Sequence, residues 1–107
     1  MKANPQPGEV WLIDFGYGGK VRPALVVSVA DQNVRLAISS VLQVTTQYGG
    51  TPYEATLPRV PWLSEQSYIN AQSIQPVKWI EFVRKIGQFE PGVLKEARSA
   101  LARWLAI

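Results

Sequence analysis

The stretch that decides the fold is Arg22-Pro23-Ala24-Leu25-Val26-Val27-Ser28. It is made almost entirely of apolar and small residues and contains no glycine, which is typical of a strand buried on both faces. Pro23 has no backbone N–H, so it belongs at the first residue of a strand or on an edge, and it pushes the preceding Arg22 into extended geometry. The sequence therefore predicts a buried strand with Arg22 held at its mouth.

A glycine-rich segment, GYGGK at positions 16–20, comes just before Arg22. Its glycines supply the positive φ angles that a hairpin loop needs. A guanidinium fixed after such a loop is well placed to bind a phosphate or carboxylate through two parallel hydrogen bonds, although an ordinary solvated arginine is the alternative. The spacing of a nucleotide-binding P-loop is missing and a hairpin follows, so that motif is excluded.

Length and composition predict one domain over residues 1–107, with residues 1–7 as an extended lead-in because of Pro5 and Pro7. The chain has no cysteine and no histidine, which excludes disulfides, thiol chemistry, zinc sites built on imidazole and Ser-His-Asp triads. We therefore predict no metal and no cofactor. Any catalysis has to use carboxylates, arginine, lysine, tyrosine or hydroxyl groups.

The net charge of +3 and the pI near 9.5 are a mild bias toward an anionic partner such as nucleic acid. The N-terminus has no apolar signal region, and no later run approaches the ~20 apolar residues needed to span a bilayer. The sequence thus predicts a cytoplasmic protein without a membrane partner.

Hydrophobic patterning predicts several short strands and one terminal helix. In residues 34–40, alternation assigns Val34, Leu36 and Ile38 to the core and consequently leaves Ser39 outside it, near the end of a strand whose apolar pattern is able to continue to residue 44. Residues 79–86 fit a helix or a strand equally well. The strands are predicted at 9–15, 22–29, 34–40, 53–57 and 67–74, and a helix at 91–105 with Trp104 on its core side. This pattern favours a mainly β, SH3-like small barrel with a C-terminal α-helix.

Three segments in this order and spacing resemble the MazF/PemK family of toxin endoribonucleases: GEVW at 8–11, KVRPALVVS at 20–28 and LAISS at 36–40. The resemblance covers most of the chain. It implies a CcdB/MazF-type barrel and a homodimeric, metal-independent enzyme of a type II toxin–antitoxin system. Such an enzyme cuts single-stranded RNA at short motifs and is silenced by a cognate antitoxin protein.

The resemblance also implies catalytic residues: an arginine before the proline of the second strand and a threonine after an Ala-Ile pair. Arg22 matches the first, and Ser39 takes the place of the second. Serine keeps a hydroxyl that donates to a phosphoryl oxygen but lacks the methyl group that stiffens χ1. Gln75 stands where the family has an arginine. We expect Arg22 and Ser39 to converge on the scissile phosphate.

Four further residues are predicted RNA contacts: Tyr17, Lys20, Ser40 and Gln43. They offer a ring for stacking, a cation for phosphate, a hydroxyl and an amide for a base edge. An ordinary surface role is the alternative for each of them.

Two other functions compete with this interpretation. A gyrase-poisoning toxin similar to CcdB shares the barrel, and the closing WLAI at 104–107 faintly resembles the end of that family. An inactive SH3-like binding module is the second alternative, with Arg22 serving only the structure.

Overall fold

The structure is a computed structural model that describes residues 3–107, with the side chain of Tyr17 excepted. It contains seven strands, two short 3-10 helices at Ala71–Ser73 and Trp79–Glu81, and one α-helix, α1 (Pro91–Leu105). The strands are β1 (Glu9–Tyr17), β2 (Lys20–Val26), β3 (Ile38–Thr45), β4 (Glu54–Thr56), β5 (Tyr68–Asn70), β6 (Gln75–Lys78) and β7 (Phe82–Gln88).

All strands pair antiparallel in one sheet of order β4-β5-β3-β2-β1-β7, with β6 also paired to β3. One edge of β3 faces β2, and its other edge pairs first with β6 and then with β5, so β3 links both parts of the sheet. The mainly β fold with a C-terminal helix is confirmed. The sheet resembles the predicted barrel but is not closed, because β4 and β7 lie at its two ends.

Strand β2 separates two hydrophobic clusters because successive side chains point to opposite faces. Leu25 faces the cluster that packs against α1, whereas Ala24 and Val26 face a second cluster around Trp79. All three β2 side chains are fully buried. The prediction of a strand buried on both faces is therefore confirmed for the second half of β2.

The first half of β2 is more open. Gly18 and Gly19 have φ angles of 64° and 79° and form the two-residue turn that pairs Tyr17 with Lys20. Pairing with β3 begins only at Ala24, so the preceding residues of β2 pair with β1 alone. This local edge accommodates Pro23, which has no N–H to donate.

The strand predicted at 34–40 forms only from Ile38 onward, and the predicted assignment of its faces is wrong. Leu36 and Ile38 are 58% and 36% exposed, whereas Ser39 is only 3% exposed. Its hydroxyl accepts a hydrogen bond of 2.9 Å from the indole N–H of Trp79, which allows a polar group at this depth. A period of two reveals alternation but not which set of residues faces the core, and a shift of one residue exchanges the two.

The predictions for two tryptophans had different outcomes. Trp104 is 41% exposed and contacts Tyr53 edge to face at 5.4 Å, so its assignment to the core is wrong. Trp62 packs on Phe89 and lies so close to Gly87 that an added Cβ would overlap its ring, which agrees with its interpretation as a packing wedge. Among residues 3–107, no helix is both long and apolar enough to cross a membrane.

The segment 67–74 is less regular than predicted. Only Tyr68–Asn70 is a strand, because Asn70 Oδ1 accepts from the backbone N–H of Gln72 and starts a 3-10 turn. The ambiguous segment 79–86 is divided between a 3-10 turn and the start of β7.

Candidate functional site

Arg22 lies in the open first half of β2, and its side chain is exposed. Among the residues that the structure describes, its guanidinium has no hydrogen-bond or ion-pair partner. Lys20 is exposed as well and, two residues earlier on the same strand, points to the same face. The sheet thus presents two cations on one face beside the hairpin turn. Two positive charges in this position favour binding of a phosphodiester.

The register of β2 and β3 indicates which residue of β3 corresponds to Arg22. The ladder ends at the pair Ala24–Gln43, and continuing the same antiparallel register by two residues, beyond the paired part, would bring Thr45 opposite Arg22. Residues directly opposite each other project to the same face of a sheet. Thr45 Oγ1 accepts a hydrogen bond of 3.1 Å from the backbone N–H of Gln47, and its own O–H is left to donate.

The structure does not bring Arg22 and Ser39 together. Ser39 precedes Thr45 by six residues on β3, which corresponds to about 20 Å along an extended strand. The same register carries Ser39 toward the far end of β2, near Ser28, and its hydroxyl is engaged with Trp79 in the core. These positions do not bring the two side chains together, and the hydroxyl that the continued register would bring opposite Arg22 is that of Thr45.

The predicted RNA contacts have different positions. Gln43 lies directly opposite Ala24 and projects to the face of Arg22. Ser40 is half-buried on the opposite face, and its backbone N–H donates to Ser28 Oγ at 2.9 Å. The side chain of Tyr17 lies outside the described part of the structure. Gln43 and Lys20 therefore stay candidates by position, whereas Ser40 points away from Arg22.

A polar cleft of about 440 Å³ opens next to Thr45. Tyr48 at its edge is 52% exposed and stacks on Tyr68, with ring centroids 4.5 Å apart and planes 15° from parallel. The cleft is lined by Gln43, Thr45, Gln47, Tyr48, Gly49, Glu54, Asn70 and Ser73. In residues 3–107 there is no group of three acidic side chains arranged to hold a metal ion.

Glu54 fixes the loop that forms one wall of this cleft. Its carboxylate accepts the backbone N–H groups of Gly49 and Thr51 at 2.8 and 2.9 Å, and the hydroxyl of Thr51 at 2.7 Å. These donors, the Gly49 N–H first, hold the pKa of Glu54 below its ordinary value of 4.5, because they favour the ionised form. The helix assists from outside, since Arg103 Nε donates to the Pro52 carbonyl at 2.8 Å.

We expect this loop to loosen in acid. The lowered pKa means that Glu54 contributes its full stabilisation above pH 4.5 and loses it as the pH falls through the lower folded value. Amide NMR shifts of Gly49 and Thr51 should therefore change between pH 5 and the acid end of the titration, while Glu54→Gln should show no such step. Constant shifts in the wild type, with the fold intact by circular dichroism, would contradict the anchoring role.

Sequence reasoning missed Thr45, although a signal was present. The apolar run at 41–44 lets the strand of Ser39 continue, and two threonines follow it directly. Matching the Ala-Ile pair at 37–38 placed the hydroxyl at Ser39. The register between β2 and β3, continued to Arg22, favours Thr45 instead.

Comparison with protein-family models finds one match over residues 6–105, described as the PemK-like, MazF-like toxin of type II toxin–antitoxin systems. No curated protein matches the sequence significantly.

Solved structures with the same fold include an endoribonuclease in complex with its cognate antitoxin from a mycobacterial species. It is 27% identical, covers 96% of both chains and has a TM-score of 0.82. A MazE-MazF complex from Deinococcus radiodurans is also 27% identical, covers 98% of both chains and has a TM-score of 0.80. The Mycobacterium tuberculosis toxin MazF-mt6, at 18% identity and a TM-score of 0.79, is similar in fold.

Proposed function

Because this chain belongs to the PemK-like, MazF-like family of type II toxin–antitoxin toxins, we propose that it is a metal-independent endoribonuclease that cuts single-stranded RNA. The observation that carries the proposal is the exposed Arg22 in the open first half of β2, on the face that the continued β2–β3 register shares with Thr45, which lines a polar cleft. Similar structures are described as endoribonucleases, which supports this reaction over gyrase poisoning.

The reaction uses the RNA's own nucleophile. The 2′-hydroxyl attacks the adjacent phosphorus, a bond from O2′ to phosphorus forms, and the bond from phosphorus to O5′ breaks. The 2′-hydroxyl releases its proton to solvent, and the leaving O5′ receives one from Arg22, which regains a proton from solvent, so the products are a 2′,3′-cyclic phosphate and a 5′-hydroxyl. No water is consumed.

The protein's part is to stabilise the charge that develops on the phosphoryl oxygens. Arg22 supplies two parallel N–H donors to these oxygens, and Thr45 supplies an O–H donor from the neighbouring strand. A guanidinium is a poor proton acceptor at neutral pH, so Arg22 acts as a clamp and as the acid that protonates O5′. Lys20 attracts the flanking backbone.

The chemistry of the fragment ends tests this mechanism. With a chelator such as EDTA present, we expect the wild-type protein to cut a long unstructured RNA into fragments that carry 2′,3′-cyclic phosphates and 5′-hydroxyls. Ligation that requires a 5′-hydroxyl, followed by sequencing, maps each cut. Fragments with 5′-phosphates, or cleavage that the chelator abolishes, would contradict the mechanism. A folded protein that leaves all RNA intact would instead favour the inactive binding module.

The family also suggests the partners. We assign to this chain a cytoplasmic location, a cognate antitoxin protein and a homodimeric state. An exposed apolar groove of about 620 Å³, lined in part by Leu36, Ile38 and Ile80, supports burial against another chain. Sedimentation of a monomer at micromolar concentration would argue against the homodimer.

A further inference from the structure

The polar cleft has a composition that the cleavage chemistry does not use. The proposed mechanism uses Arg22 and Thr45 to bind the phosphate. The cleft that Thr45 lines has a volume of about 440 Å³, which is within the range of small-ligand sites. Its wall combines an exposed aromatic ring, side-chain amides and an anchored carboxylate. These are the groups by which proteins recognise unpaired bases in single-stranded RNA.

The stacked tyrosines form one side of the cleft. Tyr68 supports Tyr48 in a nearly parallel arrangement, and the partner ring limits the freedom of Tyr48 although half of its surface is exposed. Binding of a nucleobase onto this stack therefore requires little further ordering of the protein. Base–aromatic stacking contributes affinity to any base and does not by itself choose among them.

The opposite side of the cleft carries groups that are able to distinguish one base from another. Glu54 Oε1 accepts two hydrogen bonds from Thr51, whereas Oε2 accepts one from Gly49, so Oε2 has more capacity left. An ionised carboxylate only accepts, and guanine is the RNA base that presents two adjacent N–H donors, N1–H and N2–H, on its Watson–Crick edge. Asn70 Oδ1 accepts from Gln72, so its Nδ2 is the end that donates, and Gln47 offers a second amide.

We propose that this cleft is a base-recognition subsite in which an unpaired guanine next to the scissile phosphate stacks on Tyr48 and donates to Glu54. The inference rests on the proposed ribonuclease activity and adds its base preference. It assigns specificity to the loop between β3 and β4 and to β5. Thr45 connects the two parts of the site, since it lines the cleft and is the residue that the continued β2–β3 register would bring opposite Arg22.

The first test is the cleavage motif. Wild-type protein and three variants, Tyr48→Ala, Tyr48→Phe and Glu54→Gln, are incubated with an RNA pool of random sequence, and the cut sites are sequenced. We expect a guanine at one position of the wild-type motif. Glu54→Gln should relax that position alone, Tyr48→Ala should raise KM about tenfold or more without changing the preferred base, and Tyr48→Phe should retain the wild-type KM.

The second test removes one donor from the base. In an RNA with inosine in place of that guanine, the N2 amine is missing. The wild type should cut it about tenfold less efficiently by kcat/KM, since a hydrogen bond to a charged group is lost. Glu54→Gln should cut both RNAs at similar rates. This comparison within one variant is unaffected by a general loss of activity from a loosened loop.

The outcomes separate this inference from the proposed function. If the wild type cuts no RNA, the ribonuclease proposal fails and the subsite fails with it. If the wild type cuts RNA but its motif has no guanine, or Glu54→Gln retains the same guanine and the same sensitivity to inosine, only the subsite is overturned. Circular dichroism of each variant establishes that it is folded.

Discussion

Replacing Arg22 with alanine is expected to reduce kcat for RNA cleavage by a factor of about 10² to 10³, the usual effect of removing one preorganised donor from a developing oxyanion. Stability should change little, because the side chain is exposed and has no partner among the described residues. Single-turnover cleavage of a short RNA containing one site measures the effect, and thermal unfolding provides the control for folding.

Arg22→Lys is the matched control for charge. Lysine retains the cation but presents it as a point charge, without the planar fork that contacts two phosphoryl oxygens at once. We expect it to restore RNA binding while recovering only a small part of kcat. If the lysine variant cleaves as fast as the wild type, then Arg22 serves electrostatic attraction alone. If the alanine variant does so, Arg22 has no catalytic role.

The strand of Arg22 could be predicted because its signal is local. An apolar run that follows a proline, preceded by a glycine-rich turn, predicts a hairpin and a buried strand from chain stiffness and burial alone. The C-terminal helix has an equally local signal, with Pro91 in its first turn and apolar residues at helical spacing. These elements lie where the sequence predicts them.

The hydroxyl that we propose for catalysis, that of Thr45, was harder to predict because its position depends on a relation between strands. Ser39 and Thr45 lie on the same strand, both carry a hydroxyl, and both project to the face of Arg22. Local pattern does not distinguish them, since their difference lies in which part of β2 each one opposes. The register is set by packing across the sheet, where Val26 opposes Val41 and Leu25 opposes Leu42.

A pair of variants separates the two hydroxyls. Thr45→Val keeps the β-branched shape and removes the O–H, so we expect kcat to fall by about 10²-fold with little change in stability. Ser39→Ala removes the acceptor of the buried bond from Trp79 and should lower the free energy of unfolding by about 1 kcal/mol. Its kcat should stay at the wild-type level at a temperature where it is fully folded.

These expected effects are opposite for the two sites, so general damage to the protein does not produce both. A variant that merely unfolds loses activity and stability together, whereas Thr45→Val should lose only activity and Ser39→Ala only stability. Single-turnover cleavage and thermal unfolding on the same preparations give the two readouts. If Ser39→Ala loses kcat while Thr45→Val retains it, the phosphate is bound elsewhere on β3, and the pairing of Arg22 with Thr45 is wrong.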